Sequence, residues 1–403
     1  MLAVRNSPFL RAVVLVAIGA PLALGAASLV AAQSGGSEVA ARISPLRQHL
    51  VAKRAAIEAQ SKQQVAPLRI HNLVTAESRS GVRRLNINGK FQALSDSERR
   101  AAGFNLGAGS WDSLIGALAS AVADEYVVQA ALKGIPLDSL DVEFTSKPDD
   151  PNVAKTRKVR YPRNLGYVAY IESPATDAQL EDLRKAVEKS SSAINLVVQS
   201  QPVDHLEVTY VKTPQVRDPG QPPGLREFIK EEQQPANERS AAQSAKAGGG
   251  GGGGALRAVT HVEPHTGIRN TRTGVHRFQQ LHDSAPGLLG YGLAATVEEH
   301  LIGITGTCLT HIFEIQAATR NVPLDGLELT VDATLTPRFG KGITAPSRFK
   351  DIRYSVRVES PASAEEVDGL RQAVEGICPL YNLLKDEQPV EGQVVRHAYK
   401  PAS

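Results

Sequence analysis

The sequence predicts an α+β protein made of two copies of one unit, each roughly 140 residues long. Two observations carry this. Blocks recur at one fixed spacing, and within each copy short alternating runs surround one long apolar helix. Leu114-Ile115-Gly116 returns as Leu301-Ile302-Gly303, a spacing of 301 − 114 = 187. The same spacing pairs Gln129-Ala130-Ala131 with Gln316-Ala317-Ala318 and Pro136-Leu137-Asp138 with Pro323-Leu324-Asp325. It also pairs Glu172-Ser173-Pro174-Ala175 with Glu359-Ser360-Pro361-Ala362, Ala186-Val187-Glu188 with Ala373-Val374-Glu375, and Gln201-Pro202-Val203 with Gln388-Pro389-Val390. No gap is needed between blocks. Two copies in one chain are expected to pair as an intrachain pseudo-dimer, with the central helices packed between β-sheets.

The elements follow in order. Residues 38–64 carry Val39, Ile43, Leu46, Leu50, Val51 and Ile57 at helical spacing among polar residues, which reads as a helical stalk over 33–65. Residues 66–212 form the first unit. In it, Leu68–Val74 and Gly81–Ile87 alternate like a hairpin pair. Asp112–Leu132 is an apolar helix rich in Gly and Ala, and small residues let a second helix come close. Leu140–Phe144, Gly166–Glu172 and His205–Val211 read as strands, and Thr176–Ser190 as an amphipathic helix. Residues 213–255 hold four prolines up to Pro223 and the run Gly248–Gly254, the composition of a flexible linker. The second unit occupies 256–397.

Residues 1–32 read as a signal peptide or membrane anchor. Arg5 and Arg11 precede an uncharged apolar stretch from Ala12 to Ala32, and Val30-Ala31-Ala32 offers small residues for cleavage. The uncleaved alternative is a span, since the stretch is long enough to cross a bilayer. Either way the chain is expected to be exported, periplasmic or anchored facing outward, with membrane contact only through this segment. The 45 basic residues nearly balance the 42 acidic ones, for a net charge of +3, which argues against a nucleic-acid partner. No metal is expected. His261, His265, His276, His282, His300 and His311 crowd the second unit, but Pro264 interrupts the one close pair and no compact ligand set appears. The glycine run lacks a following Lys-Ser/Thr, so no phosphate loop is present and no cofactor is expected.

The chain has two cysteines, Cys308 and Cys378, each in an apolar setting, a reactive pair rather than a disulfide framework. The second unit, from Val259 to Val395, resembles the OsmC/Ohr family of organic hydroperoxide reductases. The resemblance rests on Glu298-Glu299-His300-Leu301-Ile302-Gly303 leading to Gly306-Thr307-Cys308, and on Cys378-Pro379 followed by Leu383 and Leu384. It implies that Cys308 is the peroxidatic thiolate, Cys378 its resolving partner and Glu298 the catalytic glutamate ten residues upstream. It implies an organic hydroperoxide as substrate, an unidentified dithiol as reductant, and an arginine near the thiolate. Arg269, Arg272 and Arg277 are candidates within the second unit, and His311, one turn beyond Cys308, is a candidate aid to the thiolate.

The spacing also shows what the first unit lacks. Cys308 aligns with Ala121, Cys378 with Ser191, Glu298 with Trp111 and Glu299 with Asp112. The first unit therefore resembles a degenerate copy. Ten residues of helix rise about 15 Å, so Glu298 cannot touch Cys308 along a regular helix. A carboxylate for Cys308 is expected from the paired helix, as Asp112, with an arginine from Arg79, Arg83 or Arg84. Two chains pairing their second units as a homodimer is the other arrangement, and a catalytically weak exported binding or structural module is the alternative function.

Overall fold

The computed structural model describes residues 43–77, 80–149, 159–246 and 255–400. The expected signal or anchor at 1–32, the start of the stalk, Arg79 and the glycine run lie outside them.

The first described element, α1 (Pro45–Gln60), opens at Ser44, whose hydroxyl accepts from the Arg47 N–H, with Pro45 in the first turn. Then come β1 (Leu68–Ala76), β2 (Arg83–Ile87) and β3 (Phe91–Ser95). The central helix α2 (Ser110–Lys133) follows, with β4 (Ser139–Ser146), β5 (Leu165–Glu172), α3 (Asp177–Ser190), α4 (Ser192–Val198) and β6 (Val203–Lys212). Between the units lie α5 (Leu225–Phe228), a π-turn (Ile229–Gln233) and α6 (Gln234–Lys246). The order then repeats: β7 (Leu256–Val262), β8 (Arg269–Thr273), β9 (Phe278–His282), the central helix α7 (Val297–Arg320), β10 (Gly326–Leu335), β11 (Phe349–Ser360), α8 (Ala364–Ile377), α9 (Pro379–Leu384) and β12 (Val390–Val395).

The strands form two six-stranded sheets, ordered β3-β2-β1-β10-β11-β6 and β12-β5-β4-β7-β8-β9. Neither sheet belongs to one half of the sequence. β1 pairs antiparallel with β10, Ile70 opposite Ala333, and β6 joins β11 in parallel, Val208 opposite Val356. In the other sheet β4 pairs antiparallel with β7, Val142 opposite Thr260, and β12 runs parallel to β5, Val394 opposite Ala169. The two halves are thus interleaved, and each is incomplete without strands from the other. Alternation along each strand sends one face inward: in β4, Leu140, Val142 and Phe144 are fully buried.

Both central helices are 24 residues long. α2 lies on β4, β7 and β8, α7 lies on β1, β2 and β10, and the two helices pack on each other between the sheets. Gly303 and Gly306 make the close approach of α7 possible. A Cβ at Gly303 would stand 2.7 Å from a Leu85 methyl, and one at Gly306 would stand 2.8 Å from Val331 Cγ2.

Two segments differ from the sequence reading. α1 is docked, not a free stalk: Leu46, Leu50 and Ile57 are buried, and Lys53 is buried with its ammonium donating to the Leu288 carbonyl at 2.6 Å and to Ser284 Oγ at 2.8 Å. The described part of the 213–255 linker is likewise packed. Leu225, Phe228, Ile229, Gln233 and Ala236 are buried, and α6 and the π-turn lie on α7. The prolines end at Pro223 before the helices begin, apart from Pro235, which follows directly on the π-turn inside the continuous helical run 225–246.

Candidate active site

Cys308 sits in the middle of α7. Cys378 stands at the junction of α8 and α9, an extended residue (φ −61°, ψ 120°) with Pro379 as the first residue of α9. Helix α7 and this junction bring the two together: Cys378 Sγ donates to Cys308 Sγ at 3.6 Å, and both are buried. Burial pushes the Cys378 thiol well above its ordinary range, and the hydrogen bond to Cys308 adds to this; the N–H groups of Tyr381 and Leu380 at the start of α9 act the other way. Cys378 therefore keeps its proton and presents it to Cys308 Sγ.

A loop from the first half arches over this turn of α7. Ser97 Oγ meets His311 Nε2 at 3.1 Å, and Ser110 Oγ meets Thr307 Oγ1 at 2.9 Å, so the loop is tied to α7 on both sides of Cys308. The Asp96 carboxylate fixes its shape by accepting from the N–H groups of Ser97, Phe104 and Leu106. Beside it opens a cleft of about 510 Å³ whose walls include Ala102 and Phe104 from the loop and Pro222, Pro223 and Phe228 from the segment between the units.

Arg83 on β2, 1% exposed, reaches this turn through Ser97. It donates to the Gly81 carbonyl at 3.2 Å, to Glu314 Oε2 at 3.3 Å and to Ser97 Oγ at 3.4 Å. Gln233 also donates to Glu314 Oε2, at 3.3 Å. Burial pushes Glu314 up to about 7 although Arg83 pulls it down. Burial and then the Arg83 charge hold His311 well below its ordinary value, so it is neutral and supplies no cation to the thiolate.

The remaining expected residues lie elsewhere. Glu298 is in the first turn of the unbroken helix α7, about 15 Å of rise from Cys308. It accepts from Ser192 Oγ at 3.0 Å, beside Ser191 and on the side of the first unit's missing cysteines; burial raises its carboxyl. Asp112 does not turn toward the thiols. Its carboxylate lies against Gly274, where an added Cβ would approach it to 2.7 Å, and its backbone carbonyl accepts from Thr273 Oγ1. The reason is local: Asp112 is in the first turn of α2, which faces the β8–β9 turn. Arg84 is exposed and bound to Glu77 and Gln92, Arg272 and Arg277 are exposed, and Arg269 is buried in the opposite crevice.

That opposite crevice has the same frame. Ser191 repeats the φ −61°, ψ 120° of Cys378, and its hydroxyl accepts from the Ile194 N–H at 3.2 Å. Around Ala121 the chemistry is ionic. Arg269 donates to Asp124 Oδ1 at 2.8 Å, to the Asp283 carbonyl at 2.8 Å, and to Ser284 Oγ and the Gly267 carbonyl at 3.2 Å. Arg338 donates to Asp124 Oδ2 at 3.0 Å and to Glu125. Burial pushes the Asp124 carboxyl up, but Arg269, Lys53 and Arg338 outweigh it and together hold it far below the usual carboxylate range.

Among the described residues no group of three or more His, Cys, Asp or Glu is placed to hold a metal ion. The histidines are otherwise engaged: His261 faces Asp141 at 2.9 Å, and His282 faces His300 at 2.9 Å. Sequence reasoning missed Glu314 and Gln233. The one available signal was a carboxylate at an otherwise buried position of an apolar helix.

No curated protein matches the chain. Among solved structures, it is similar to an OsmC-like protein from Mycoplasma pneumoniae, at 19% identity over 30% of this chain and 83% of that one, with a TM-score of 0.26. The family profile described as OsmC-like protein matches residues 290–392, a stretch that contains Glu298, Cys308 and Cys378. It is over this stretch, in the second half of the chain, that the protein is similar to the OsmC-like proteins.

Proposed function

We propose that the protein is a thiol-dependent peroxidase for organic hydroperoxides, with Cys308 as the attacking thiolate and Cys378 as the resolving thiol. The observation that supports it most is the buried thiol pair, 3.6 Å apart, inside the OsmC-like stretch and under a loop tied to α7 on both sides of Cys308. The Cys308 thiolate attacks the distal peroxide oxygen, the O–O bond breaks, and the alkoxide leaves as the alcohol after taking a proton. Cys308 is then a sulfenic acid. The Cys378 sulfur attacks it, water leaves, and the two cysteines share a disulfide. An external dithiol returns two electrons. A disulfide needs about 2.05 Å between sulfurs, so the pair must close by roughly 1.5 Å, within the reach of side-chain rotation. Arg83 is the cation proposed to favour the thiolate. Export of the chain, and hence a reductant met outside the cytosol, remains part of this proposal.

Treating the purified full chain with cumene hydroperoxide and titrating free thiols tests it. The expected result is loss of two thiols per peroxide reduced, with release of cumyl alcohol. Thiols that persist against excess peroxide would sink it. The second reading is a binding or structural module of the same fold, and one observation favours it: Glu298 accepts from Ser192 beside Ser191, in the crevice without thiols, and its counterpart in the first unit is Trp111, which is no carboxylate. Unreactive thiols together with a co-purifying apolar ligand would support that reading.

A further inference from the structure

The Cys308 crevice lacks the carboxylate expected from α2, yet its arginine is anchored. We propose that Glu314, held by Gln233 from the segment between the units, is the positioning residue for Arg83 at the Cys308 site. This rests on the peroxidase reading above and deepens it.

Four observations carry the inference. Glu314 is fully buried on α7, and its counterpart 187 residues earlier is Val127, so this carboxylate belongs only to the crevice with thiols. Its described partners are Arg83 and Gln233, both on the same oxygen at 3.3 Å, which leaves Oε1 buried and unpartnered. Arg83 Nε is likewise buried and unpartnered. A charged pair with spare donor and acceptor capacity is a poised arrangement, since a fully satisfied network has nothing left to offer. Finally, Arg83 reaches Ser97, and Ser97 reaches His311, so the anchor leads directly into the loop that arches over Cys308.

The strand geometry places Arg83 at the right level. Leu85 packs where a Cβ on Gly303 would be. Arg83 is two residues along on the same face of β2, about 6.7 Å away, which equals the rise of four to five residues of α7. Its guanidinium reaches Glu314, six residues beyond Cys308 on α7. The groups that face Glu314 are Arg83 from β2 and Gln233 from the π-turn, with Asp96 from the arching loop contributing at longer range. Burial sets Glu314 to about 7, so the anchor is charged in mildly alkaline solution and neutral in mildly acidic solution.

The test compares the wild-type full chain with Glu314→Gln, measuring the single-turnover rate of Cys308 oxidation by cumene hydroperoxide from pH 5.5 to pH 8.5. The ratio of the two rates at each pH reads what the Glu314 carboxylate contributes, including its effect on the thiolate through Arg83. The expected ratio is about tenfold in favour of wild type at pH 8, falling to within about twofold at pH 5.5, where the native carboxyl is also neutral. Gln233→Leu leaves the ion pair in place and guards against a folding failure of the first variant; it is expected to slow the reaction about threefold with the same pH trend. A wild type that reacts while both ratios stay flat with pH overturns the role of Glu314 alone. A wild type that does not react overturns the peroxidase reading, and this inference with it.

Discussion

The two crevices between the sheets share a frame and differ in chemistry. One holds Cys308 and Cys378, with Arg83 bound through contacts of 3.2 to 3.4 Å and unpartnered atoms on both members of its ion pair. The other holds Ala121 and Ser191, with Arg269 bound at 2.8 Å to Asp124 and Arg338 on the same carboxylate at 3.0 Å. Each arginine is supplied by the second strand of one half and anchored on the central helix of the other. Arg269 Nε is buried without a partner just as Arg83 Nε is, so the difference lies in the carboxylates: Asp124 has both oxygens bound, and Glu314 has one free. The crevice with thiols has kept a looser cation, which leaves it able to respond.

The largest expected effect is on the chemistry. Cys308→Ser should lower hydroperoxide-driven thiol loss by at least about a thousandfold, because a hydroxyl at this site has no comparable nucleophile. The Cys378 thiol should then survive peroxide treatment. Rapid oxidation of Cys378 in that variant would reverse the assignment of the two roles. In Cys378→Ser the first step should persist, and a sulfenic acid on Cys308 should be trapped by a 1,3-dicarbonyl reagent. Immediate disulfide formation between chains would instead point to pairing of two second units.

The next effect tests the charged crevice. Asp124→Asn removes the carboxylate shared by Arg269 and Arg338 and should cost about 3–5 kcal/mol of stability, the range for breaking one partner of a buried ion pair. The sign with pH follows from its shift. The folded Asp124 carboxyl lies below its ordinary value, so its contribution is present above about pH 4 and is lost as pH falls through the acidic range. Glu125 and Glu298 are raised by burial, so their contributions run the other way and weaken as pH rises. Thermal melts between pH 3 and pH 8 should therefore show an acid-side difference between wild type and variant that narrows toward pH 3. A difference independent of pH would mean that Asp124 acts through packing.

The sequence disclosed the frame well and the site unevenly. The 187-residue spacing, the long apolar helices and the cysteine pair were all legible, because identical blocks and hydrophobic periodicity survive in one dimension. The interleaved sheets were not. β11 pairs in parallel with β6 across more than a hundred residues, and strands with the same alternation fit a separate sheet per unit equally well. The stalk and the described part of the linker, which are packed rather than free, escaped the reading for a related reason. The prolines and glycines dominate the composition of 213–255, yet Leu225, Phe228, Ile229 and Ala236 form a helical stripe that needed α7 as a partner before it meant anything. At the site, Arg83 was one of three candidates because only burial separates it from Arg84. Asp112 was chosen because it aligned with Glu299, but alignment does not say which neighbour a first-turn side chain faces.

The smallest expected effect compares two glycines at matching positions. Replacing a helical glycine by alanine ordinarily stabilises by about 0.5–1 kcal/mol, because less backbone freedom is lost on folding. Whether that gain survives depends on what the new methyl meets. At Gly116 it would meet Gln280 Oε1 at 2.3 Å, the far end of a flexible side chain whose oxygen has no hydrogen-bond partner to lose. At Gly303 it would meet two Leu85 methyls at 2.7 and 2.8 Å and Asn72 Nδ2 at 3.1 Å. Leu85 is enclosed between sheet and helix, and Asn72 donates to the Glu299 carbonyl, so neither gives way easily. Gly116→Ala should leave the melting temperature unchanged or slightly raised. Gly303→Ala should cost about 1–2 kcal/mol net, the range for overpacking a filled core. Because Leu85 and Arg83 share one face of β2, the displaced strand should also slow Cys308 oxidation in Gly303→Ala and not in Gly116→Ala. Equal effects of the two substitutions would mean that β2 does not hold the thiol-side arginine in register with α7.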